Sequence, residues 1–499
     1  MVTLSAPVEH WARSTPERLA MRYGDTRITY SDLFDRTCRV AGILASRGVG
    51  RGDIVALLMK NSAAFIEIAL AASHLGAVML PINYRLSRDE VDFILHHAGA
   101  KFLCVDEALQ DNAGDIARLV VSPDLEHGLS GLDPAASPVV EPVPVVTSDM
   151  FRLMYTSGTT GRPKGVMHSY ENFYWKTLDH ISELQITASD RLLVAGPLYH
   201  VGAFDLPGLA LFEVGGSITI LRDFDADACL QAIQDDQLTG AWFAPVMLNR
   251  LLALPERERY NRGSLKWVIG GGERTPVQRI QAFGSLFPKG RYVDAYGLTE
   301  TCSGDTMMQA GLEIEKIGSA GRALSHVRIE IRDGNGERLP AGQPGEICLR
   351  GPKITLGYWC DEQRTKESFF EDWFRSGDMG YLDEDGFLYL VDRKKDMIIS
   401  GGENIASSEV ERILYQLKDI EEAAIIGLPD AKWGERVVAV AVLREGSTLT
   451  LEALREFCKG KIAGFKMPRQ LIVMEALPRN PSGKVLKRVL RDELAKVQP

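Results

Sequence analysis

The chain has 499 residues, of which 45% are hydrophobic and 25% charged, and its formal net charge is −10. The length predicts more than one folding unit, and the negative charge argues against nucleic acid as a partner. No apolar run is long enough for an integral membrane segment, and residues 1–22 carry charges throughout instead of a signal-peptide pattern. We therefore expect a cytoplasmic enzyme or binding protein.

Strand-like and helical patterns alternate through the first part of the chain. Buried strands are predicted at residues 53–59, 77–82, 101–105, 151–156, 191–195, 217–221, 239–243 and 265–269. Helices with apolar residues at three- and four-residue spacing are predicted at 62–75 and 87–97. This alternation predicts parallel sheets with helices on their faces.

The pattern changes from about residue 318. Short strands at 327–332, 345–350 and 386–391 are separated by Gly, Asp and Asn turns, which predicts an antiparallel sheet or small β-barrel over 318–391. Helices at 407–417 and 451–459 and strands at 423–428 and 437–443 then form a compact α+β unit. We predict a large N-terminal domain over 1–394 and a small C-terminal domain over 395–499.

Residues 156–165 read Thr-Ser-Gly-Thr-Thr-Gly-Arg-Pro-Lys-Gly and follow a predicted strand. Glycines allow backbone N–H groups to converge on an anion, and the hydroxyls and Lys164 add donors and positive charge. The segment is not a Walker A loop, because Pro163 precedes the lysine and no Gly-Lys-Ser/Thr follows. We interpret it as a phosphate-binding loop.

Four further segments supply groups that an ATP-using site needs. Residues 294–300 offer an aromatic face, a hydroxyl and a carboxylate suited to Mg²⁺, and residues 270–276 end a strand with three glycines that let a flat ligand approach. Residues 375–380 are expected to hold Asp378 in a tight turn, where it could accept two ribose hydroxyls. Residues 479–484 place Lys484 on a Pro/Gly loop of the C-terminal domain.

In this order, the segments resemble the adenylate-forming superfamily of acyl-CoA synthetases, adenylation domains and beetle luciferases. The resemblance extends from Ile28 to Lys484, and residues 392–404 match the fatty-acid and aryl-acid CoA ligases most closely. It implies an α/β fold with a large N-terminal domain of layered sheets and a small mobile C-terminal domain. It also implies an ATP-dependent acid:CoA ligase that uses Mg²⁺, forms an acyl-adenylate and then a thioester, and releases AMP and pyrophosphate.

The resemblance implies roles for individual positions in the nucleotide site. The β- and γ-phosphates would be held by Thr156, Ser157, Gly158, Thr159, Thr160, Gly161 and Lys164. Adenine would lie among Gly272, Glu273, Asp294 and Tyr296, and ribose against Asp378 and Arg393. Thr299 would contact the α-phosphate, Glu300 would bind Mg²⁺, and Lys484 would bridge the acid carboxylate and the α-phosphate.

The resemblance also implies where CoA and the acid would bind. Lys395 would be the hinge that brings Ser400, Gly401 and Gly402 to the thiol tunnel, with Trp433, Arg85 and the basic residues Lys459, Lys461, Lys466 and Arg469 near the CoA nucleotide. The acid pocket would be lined by Tyr199, His200, Val201, Phe204, Trp242, Phe243 and Gly271, with His200 in the position of an aromatic gate. Bulky Trp242 and Phe204 favour a medium-chain or aromatic acid of the cinnamate or benzoate kind.

Other interpretations remain open at this point. They are a long-chain fatty-acid ligase, an adenylating enzyme that loads a carrier protein, a luciferase-like oxygenase and a non-catalytic nucleotide-binding module. The joint presence of Lys164, Glu300, Asp378, Arg393 and Lys484 argues against the last of these. The sequence does not determine the oligomeric state, for which a homodimer is the working expectation.

Overall fold

The computed structural model describes residues 2–122, 137–156, 163–271, 277–393, 396–400, 403–430, 432–479 and 485–496, with the backbone alone at 278, 392, 393 and 404. Two compact units divide the chain. Unit 1 comprises Met1–Arg328 and Leu349–Phe374, and unit 2 comprises Ile329–Cys348 and Arg375–Pro499. The predicted boundary at Lys395 lies outside the described residues and stays a prediction.

The first part of unit 1 alternates strands and helices as the periodicity predicts. Ser62 caps the buried central helix by accepting the Phe65 N–H, and Ser87 with Glu90 forms a capping box on the next helix. In chain order the elements are α1 (Ala6–Ser14), β1 (Leu19–Tyr23), β2 (Thr26–Thr29), α2 (Tyr30–Ser46), β3 (Ile54–Leu58), α3 (Ala63–His74), β4 (Val78–Pro81), α4 (Arg88–Ala98), β5 (Phe102–Asp106) and β6 (Arg118–Val121).

The central part of unit 1 continues the alternation and supplies most of the candidate site. Its elements are β7 (Met150–Thr156), β8 (Lys164–Ser169), α5 (Tyr170–Leu184), β9 (Arg191–Val194), α6 (Val201–Phe204), α7 (Ala210–Val214), β10 (Ser217–Ile220), α8 (Ala226–Asp236), β11 (Gly240–Phe243), α9 (Pro245–Ala253), β12 (Trp267–Gly271), α10 (Val277–Leu286), β13 (Arg291–Tyr296), β14 (Thr306–Met307) and β15 (Arg322–Ala323). A short 3₁₀ helix, Thr299–Thr301, follows β13.

The remaining elements start at Arg328 and include all of unit 2 together with the second segment of unit 1, Leu349–Phe374. They are β16 (Arg328–Arg332), β17 (Gly345–Arg350), β18 (Gly357–Tyr358), α11 (Glu362–Glu367), β19 (Phe369–Phe370), β20 (Trp373–Leu382), β21 (Leu388–Arg393), β22 (Ile398–Ser400), β23 (Glu403–Ile405), α12 (Ser407–Leu414), β24 (Ile420–Asp430), β25 (Gly434–Leu443), α13 (Leu451–Cys458), β26 (Gln470–Val473) and α14 (Lys487–Lys496). Among the described residues, no helix has the length and apolar character required to span a bilayer.

Unit 1 contains two mixed sheets in its described part. Their strand orders are β15-β14-β13-β12-β11-β9-β10-β1-β2 and β18-β8-β7-β4-β3-β5-β6. Strands β9, β11, β12 and β13 run parallel to one another, so their carboxyl ends lie along one edge of the first sheet. In open parallel sheets, ligands bind beyond the carboxyl ends of the strands. This edge is where β11, β12 and β13 deliver Phe243, Gly271 and Tyr296.

Unit 2 contains an antiparallel hairpin, in a region where the sequence predicts antiparallel strands, followed by a second sheet with its helices. β20 and β21 pair in antiparallel fashion, and a second sheet has the order β23-β22-β25-β24, with β26 parallel to β25. Alternate residues of β24 and β25 enter two apolar clusters, one with Val410 and Leu454 of α12 and α13, the other with Leu490 of α14. Helices therefore cover both faces of this sheet, which agrees with the continuous burial of the middle of β24 and β25.

Candidate active site

The predicted phosphate loop connects the two strands of a hairpin. β7 and β8 are antiparallel, and Thr156 stands directly opposite Lys164. The buried Thr156 Oγ1 has no hydrogen-bond partner among the residues that the structure describes, which leaves it available to a ligand. The predicted phosphate contacts between these two residues, Ser157, Gly158, Thr159, Thr160 and Gly161, lie outside the described residues.

The structure brings Lys164 and Glu300 together, 136 positions apart in the chain. Lys164 Nζ lies 2.7 Å from Glu300 Oε1 and donates to the Tyr358 hydroxyl at 2.8 Å, while that hydroxyl donates to the same carboxylate oxygen at 2.9 Å. Burial, reinforced by Glu300, raises the pKa of Tyr358, so the phenol stays protonated and acts as a donor. Tyr358 has no distinguishing motif in the sequence, and its role was not predicted.

The Glu300 carboxylate fits the predicted metal ligand. Its side chain is 11% exposed, and its backbone carbonyl accepts the Thr355 N–H at 2.7 Å, which fixes the residue beside Thr299. An anionic oxygen donor of this kind suits Mg²⁺. A bound Mg²⁺ would neutralise phosphate charge, and Lys164 would then be free to turn toward the anion.

Strands β12 and β13 form the wall predicted for adenine. Gly270 pairs with Asp294 and Gly271 with Ala295, while Asp294 and Tyr296 are buried at the same edge. Packing within the protein also requires a glycine at position 271. A Cβ on Gly271 would lie 2.7 Å from the Ala295 carbonyl oxygen, closer than backbone atoms tolerate. Gly272 and Glu273 lie outside the described residues.

The predicted acid-pocket segment surrounds Trp242. A Cβ on Gly196 or Gly202 would lie 2.5 or 2.3 Å from the Trp242 ring, so these two glycines create the space that the indole occupies. The His200 ring lies 6.1 Å from the Trp242 ring at an interplanar angle of 25°. Sequence reasoning missed both glycines, since their partner is about 40 residues away. Tyr199, Val201 and Phe204 are also buried in this segment.

Phe204 is fully enclosed. Its ring lies 6.4 Å from the rings of Phe65 and Phe173, in an aromatic core cluster. Tyr199 contacts Tyr84 edge-on at 5.3 Å, and its buried hydroxyl has no partner within the described part of the chain. The direct contacts of Phe204 and Tyr199 with an acid remain predictions.

His200 is neutral in this structure. Its Nδ1 accepts the Gly202 N–H at 3.0 Å, and burial lowers its pKa from the ordinary 6.5 to about 4. The unfolded chain therefore binds more protons than the folded one between these two values. The stabilisation is complete above 6.5 and is lost as the pH falls toward 4.

We predict that the unfolding temperature falls between about pH 7 and about pH 5, and that His200→Phe weakens this dependence. The dependence is reduced rather than removed, because burial also lowers the pKa of His74, His168 and His180. Differential scanning fluorimetry at constant ionic strength measures both slopes. Equal slopes in the parent and the His200→Phe variant would contradict the neutral state of His200.

The predicted ribose ligand Asp378 lies in a strand instead of the expected tight turn. It stands opposite Arg393 in the β20–β21 pair, and its N–H donates to Ser376 Oγ at 3.0 Å. The turn prediction was wrong because the Gly377 kink, with a φ of +72°, is accommodated inside a long hairpin strand. The Arg393 side chain and Lys395 lie outside the described residues.

Unit 2 brings Ser400 and Trp433 close together in space. Ser400 pairs with Gly434, the residue after Trp433, and the Arg469 guanidinium carbon lies 4.3 Å from the centre of a Trp433 ring. Two lysines predicted near CoA are paired with acids of the same unit, Lys466 with Glu409 at 2.7 Å and Lys459 with Glu456 at 3.4 Å. Gly401, Gly402 and Lys484 lie outside the described residues.

Comparison with known proteins identifies the protein family. The profile of the AMP-binding enzyme matches residues 8–359, and that of the AMP-binding enzyme C-terminal domain matches residues 409–484. The chain belongs to the AMP-binding enzyme family.

Its relatives are CoA ligases. It is 36% identical over 481 residues to feruloyl-CoA synthase of Amycolatopsis sp, covering 96% of each chain. It is 36% identical over 484 residues to 2-succinylbenzoate–CoA ligase of Bacillus licheniformis, covering 96% of this chain and 98% of that one. It is 34% identical over 487 residues to long-chain-fatty-acid–CoA ligase FadD13 of Mycobacterium tuberculosis, covering 95% of each.

Solved structures agree with this assignment. The o-succinylbenzoate CoA synthetase of Bacillus subtilis, in complex with the acyl-adenylate intermediate OSB-AMP, has a TM-score of 0.86 at 32% identity and covers 97% of this chain and 98% of its own. ATP-bound MatB from Rhodopseudomonas palustris has a TM-score of 0.90 at 29% identity, with 98% and 99% covered. The predicted α/β fold is confirmed, as is the class of an AMP-forming acyl-CoA synthetase that uses ATP, Mg²⁺ and CoA.

Proposed function

We propose that this ligase activates a medium-chain fatty acid or an aromatic acid of the cinnamate or benzoate kind. The observation that carries the proposal is Trp242, which is seated against Gly196 and Gly202 and lies alongside the neutral His200. An indole fixed in this way fills space that a long alkyl chain would need, while its flat face suits a ring or a short chain.

The proposed chemistry begins with the acid carboxylate, which attacks the α-phosphorus of ATP. The P–O bond to the leaving group breaks, and the products are acyl-AMP and pyrophosphate. Because two anions must meet, catalysis depends on positive charge and on placed donors. We assign Lys484 and Thr299 to the reacting phosphate, Lys164 and the segment Thr156–Gly161 to the departing phosphates, and Glu300 to Mg²⁺.

In the second half-reaction, the CoA thiol attacks the acyl carbon, loses its proton and displaces AMP. We assign Lys395 as the pivot of a C-terminal domain that presents Lys484 for the first step and Ser400, Gly401 and Gly402 for the second. The pairing of Arg469 with the Trp433 ring supports a role for this part of unit 2 in binding the CoA nucleotide. Asp378 and Arg393 remain the proposed ribose ligands.

A panel of acids tests the proposed substrate class. Octanoate, cinnamate, benzoate and palmitate are each supplied with ATP, Mg²⁺ and CoA, and pyrophosphate release gives kcat/KM. We expect octanoate or an aromatic acid to exceed palmitate by at least about tenfold, the size of a pocket-fit discrimination. Palmitate turnover far above the others would overturn the proposal in favour of a long-chain ligase.

We predict that Trp242→Ala raises kcat/KM for palmitate relative to octanoate by about tenfold or more, because it opens the end of the pocket. Gly202→Ala is the matched test, since its Cβ would strike the Trp242 ring and should lower turnover of every acid. Adding Trp242→Ala to Gly202→Ala should restore turnover of the longer acid. Unchanged chain-length preference in Trp242→Ala would place the acid elsewhere.

We also propose a cytoplasmic location, which is supported by the use of ATP and CoA as substrates. A homodimer is a further proposal that light scattering can test. A mass equal to that of a single chain at micromolar concentration would overturn it.

A further inference from the structure

A group of charged side chains in unit 1 is enclosed and is not used by the proposed chemistry. Arg152, Lys176, Lys353, Asp205 and Asp305 each have a side-chain exposure of 0%. Burying a charge is strongly unfavourable unless the charge is paired and hydrogen-bonded. The hydrogen-bond partners of these side chains therefore indicate which parts of the backbone the group fixes.

Within this group, Arg152 contacts both Asp205 and His168. Its Nη1 donates to both carboxylate oxygens of Asp205, at 3.1 and 2.8 Å, and its Nε donates to His168 Nδ1 at 3.1 Å. A guanidinium has donors but no acceptor and keeps its charge in proteins. His168 Nδ1 must therefore be the acceptor, which places the proton of the neutral ring on Nε2.

The His168 Nε2–H points to the backbone of Thr299, the residue proposed to contact the α-phosphate. It donates to the Thr299 carbonyl at 2.6 Å, and the Cys302 N–H donates to the same oxygen at 3.2 Å. Burial and the Arg152 charge hold the pKa of His168 well below its ordinary value, so the ring stays neutral. Two donors thus fix the Thr299 carbonyl.

Asp205 connects this arrangement to the acid pocket. It directly follows α6, and its N–H donates to the Val201 carbonyl at 2.9 Å. Its own carbonyl accepts from Lys176 Nζ at 3.1 Å and lies 3.2 Å from His180 Nδ1. The carboxylate that holds Arg152 therefore belongs to the residue that ends the helix of the acid pocket.

We propose that His168 is a positioning residue for adenylate formation, which holds Thr299 in place through its Nε2–H. Arg152 and Asp205 fix the imidazole ring, so the phosphate contact and the acid-binding helix share one rigid support. The proposal rests on the proposed contact of Thr299 with the α-phosphate. A donor that is placed before the reaction needs no reorganisation during it, so its loss should appear in kcat.

Two variants with amide side chains at position 168 distinguish a role of His168 in positioning Thr299 from a role in packing alone. His168→Gln keeps an N–H donor near the position of Nε2, whereas His168→Asn keeps an acceptor for Arg152 but is too short to reach Thr299. We expect His168→Asn to lower kcat for pyrophosphate release about 10- to 30-fold while KM for ATP changes less than about threefold. His168→Gln should stay within about threefold of the parent.

Unfolding temperatures are measured for both variants. Equal losses of kcat that follow the unfolding temperature, or an unchanged kcat in His168→Asn, would overturn the proposal. In a Thr299→Val background, His168→Asn should lower kcat further by less than about threefold, and a fully additive loss would overturn the proposal too.

If His168→Asn does not fold, the proposal is tested with His168→Gln alone. A loss of kcat above about tenfold in His168→Gln would overturn the proposal. A parent enzyme that releases no pyrophosphate in response to acid would instead overturn the proposed function. The two failures are therefore distinguishable.

Discussion

Glu300→Gln should slow pyrophosphate release by about 100- to 1000-fold, which corresponds to about 3–4 kcal/mol of transition-state stabilisation. The amide keeps an oxygen that accepts from Lys164 and Tyr358, so the contacts at 2.7 and 2.9 Å can persist and the fold should survive. What is lost is the negative charge that is proposed to bind Mg²⁺. We also expect the half-saturating Mg²⁺ concentration to rise about tenfold.

Tyr358→Phe is the matched control for Glu300→Gln. It removes a hydroxyl that donates to the carboxylate but leaves the charge, so the loss should stay below about tenfold. Pyrophosphate release measured over a Mg²⁺ titration gives both parameters. If Glu300→Gln keeps more than about a tenth of the parent rate, Glu300 is not the metal ligand.

Lys484→Ala should lower adenylate formation by at least about 1000-fold, because it removes the cation proposed to bridge the carboxylate and the α-phosphate. Thioester formation from supplied acyl-AMP and CoA should remain within about threefold of the parent, since that step does not use the lysine. Rapid-quench assays of the two half-reactions measure the two rates separately.

Lys418→Ala serves as the control for the loss of one positive charge in the C-terminal part. Lys418 is exposed and has no role in the proposed chemistry, so both half-reactions should be unchanged. Equal loss of both halves in Lys484→Ala would contradict the assignment of this lysine to the first step alone.

Much of the fold could be predicted because it depends on local periodicity. The helix α3 and the strands β3 and β4 lie within one or two residues of their predicted limits, since each reports its burial through its own apolar spacing. In unit 2, α12 begins and β25 ends at the predicted residue, but α12 ends three residues earlier and β25 begins three residues earlier than predicted. The sequence predicts a turn at Asp378, whereas the structure has Gly377 adopt its positive φ in the middle of strand β20.

The contacts that shape the site could not be predicted in the same way. Tyr358 meets Glu300 from 58 positions away, and His168 meets Thr299 from 131 positions away. Gly196 and Gly202 leave space for the Trp242 ring, which extends from strand β11. Such contacts depend on tertiary packing, and one sequence carries no local pattern for them. The family resemblance indicated the candidate site residues, whereas the structure shows which side chains hold Glu300 and Thr299 in place.

The most direct test of the account is a rapid-quench measurement of pyrophosphate and AMP, made with ATP, Mg²⁺ and a preferred acid, first without CoA and then with it. We expect a pyrophosphate burst of about one equivalent per active site without CoA, followed by continuous AMP release once CoA is added. Pyrophosphate release that needs no acid, or AMP release that CoA does not accelerate, would contradict it.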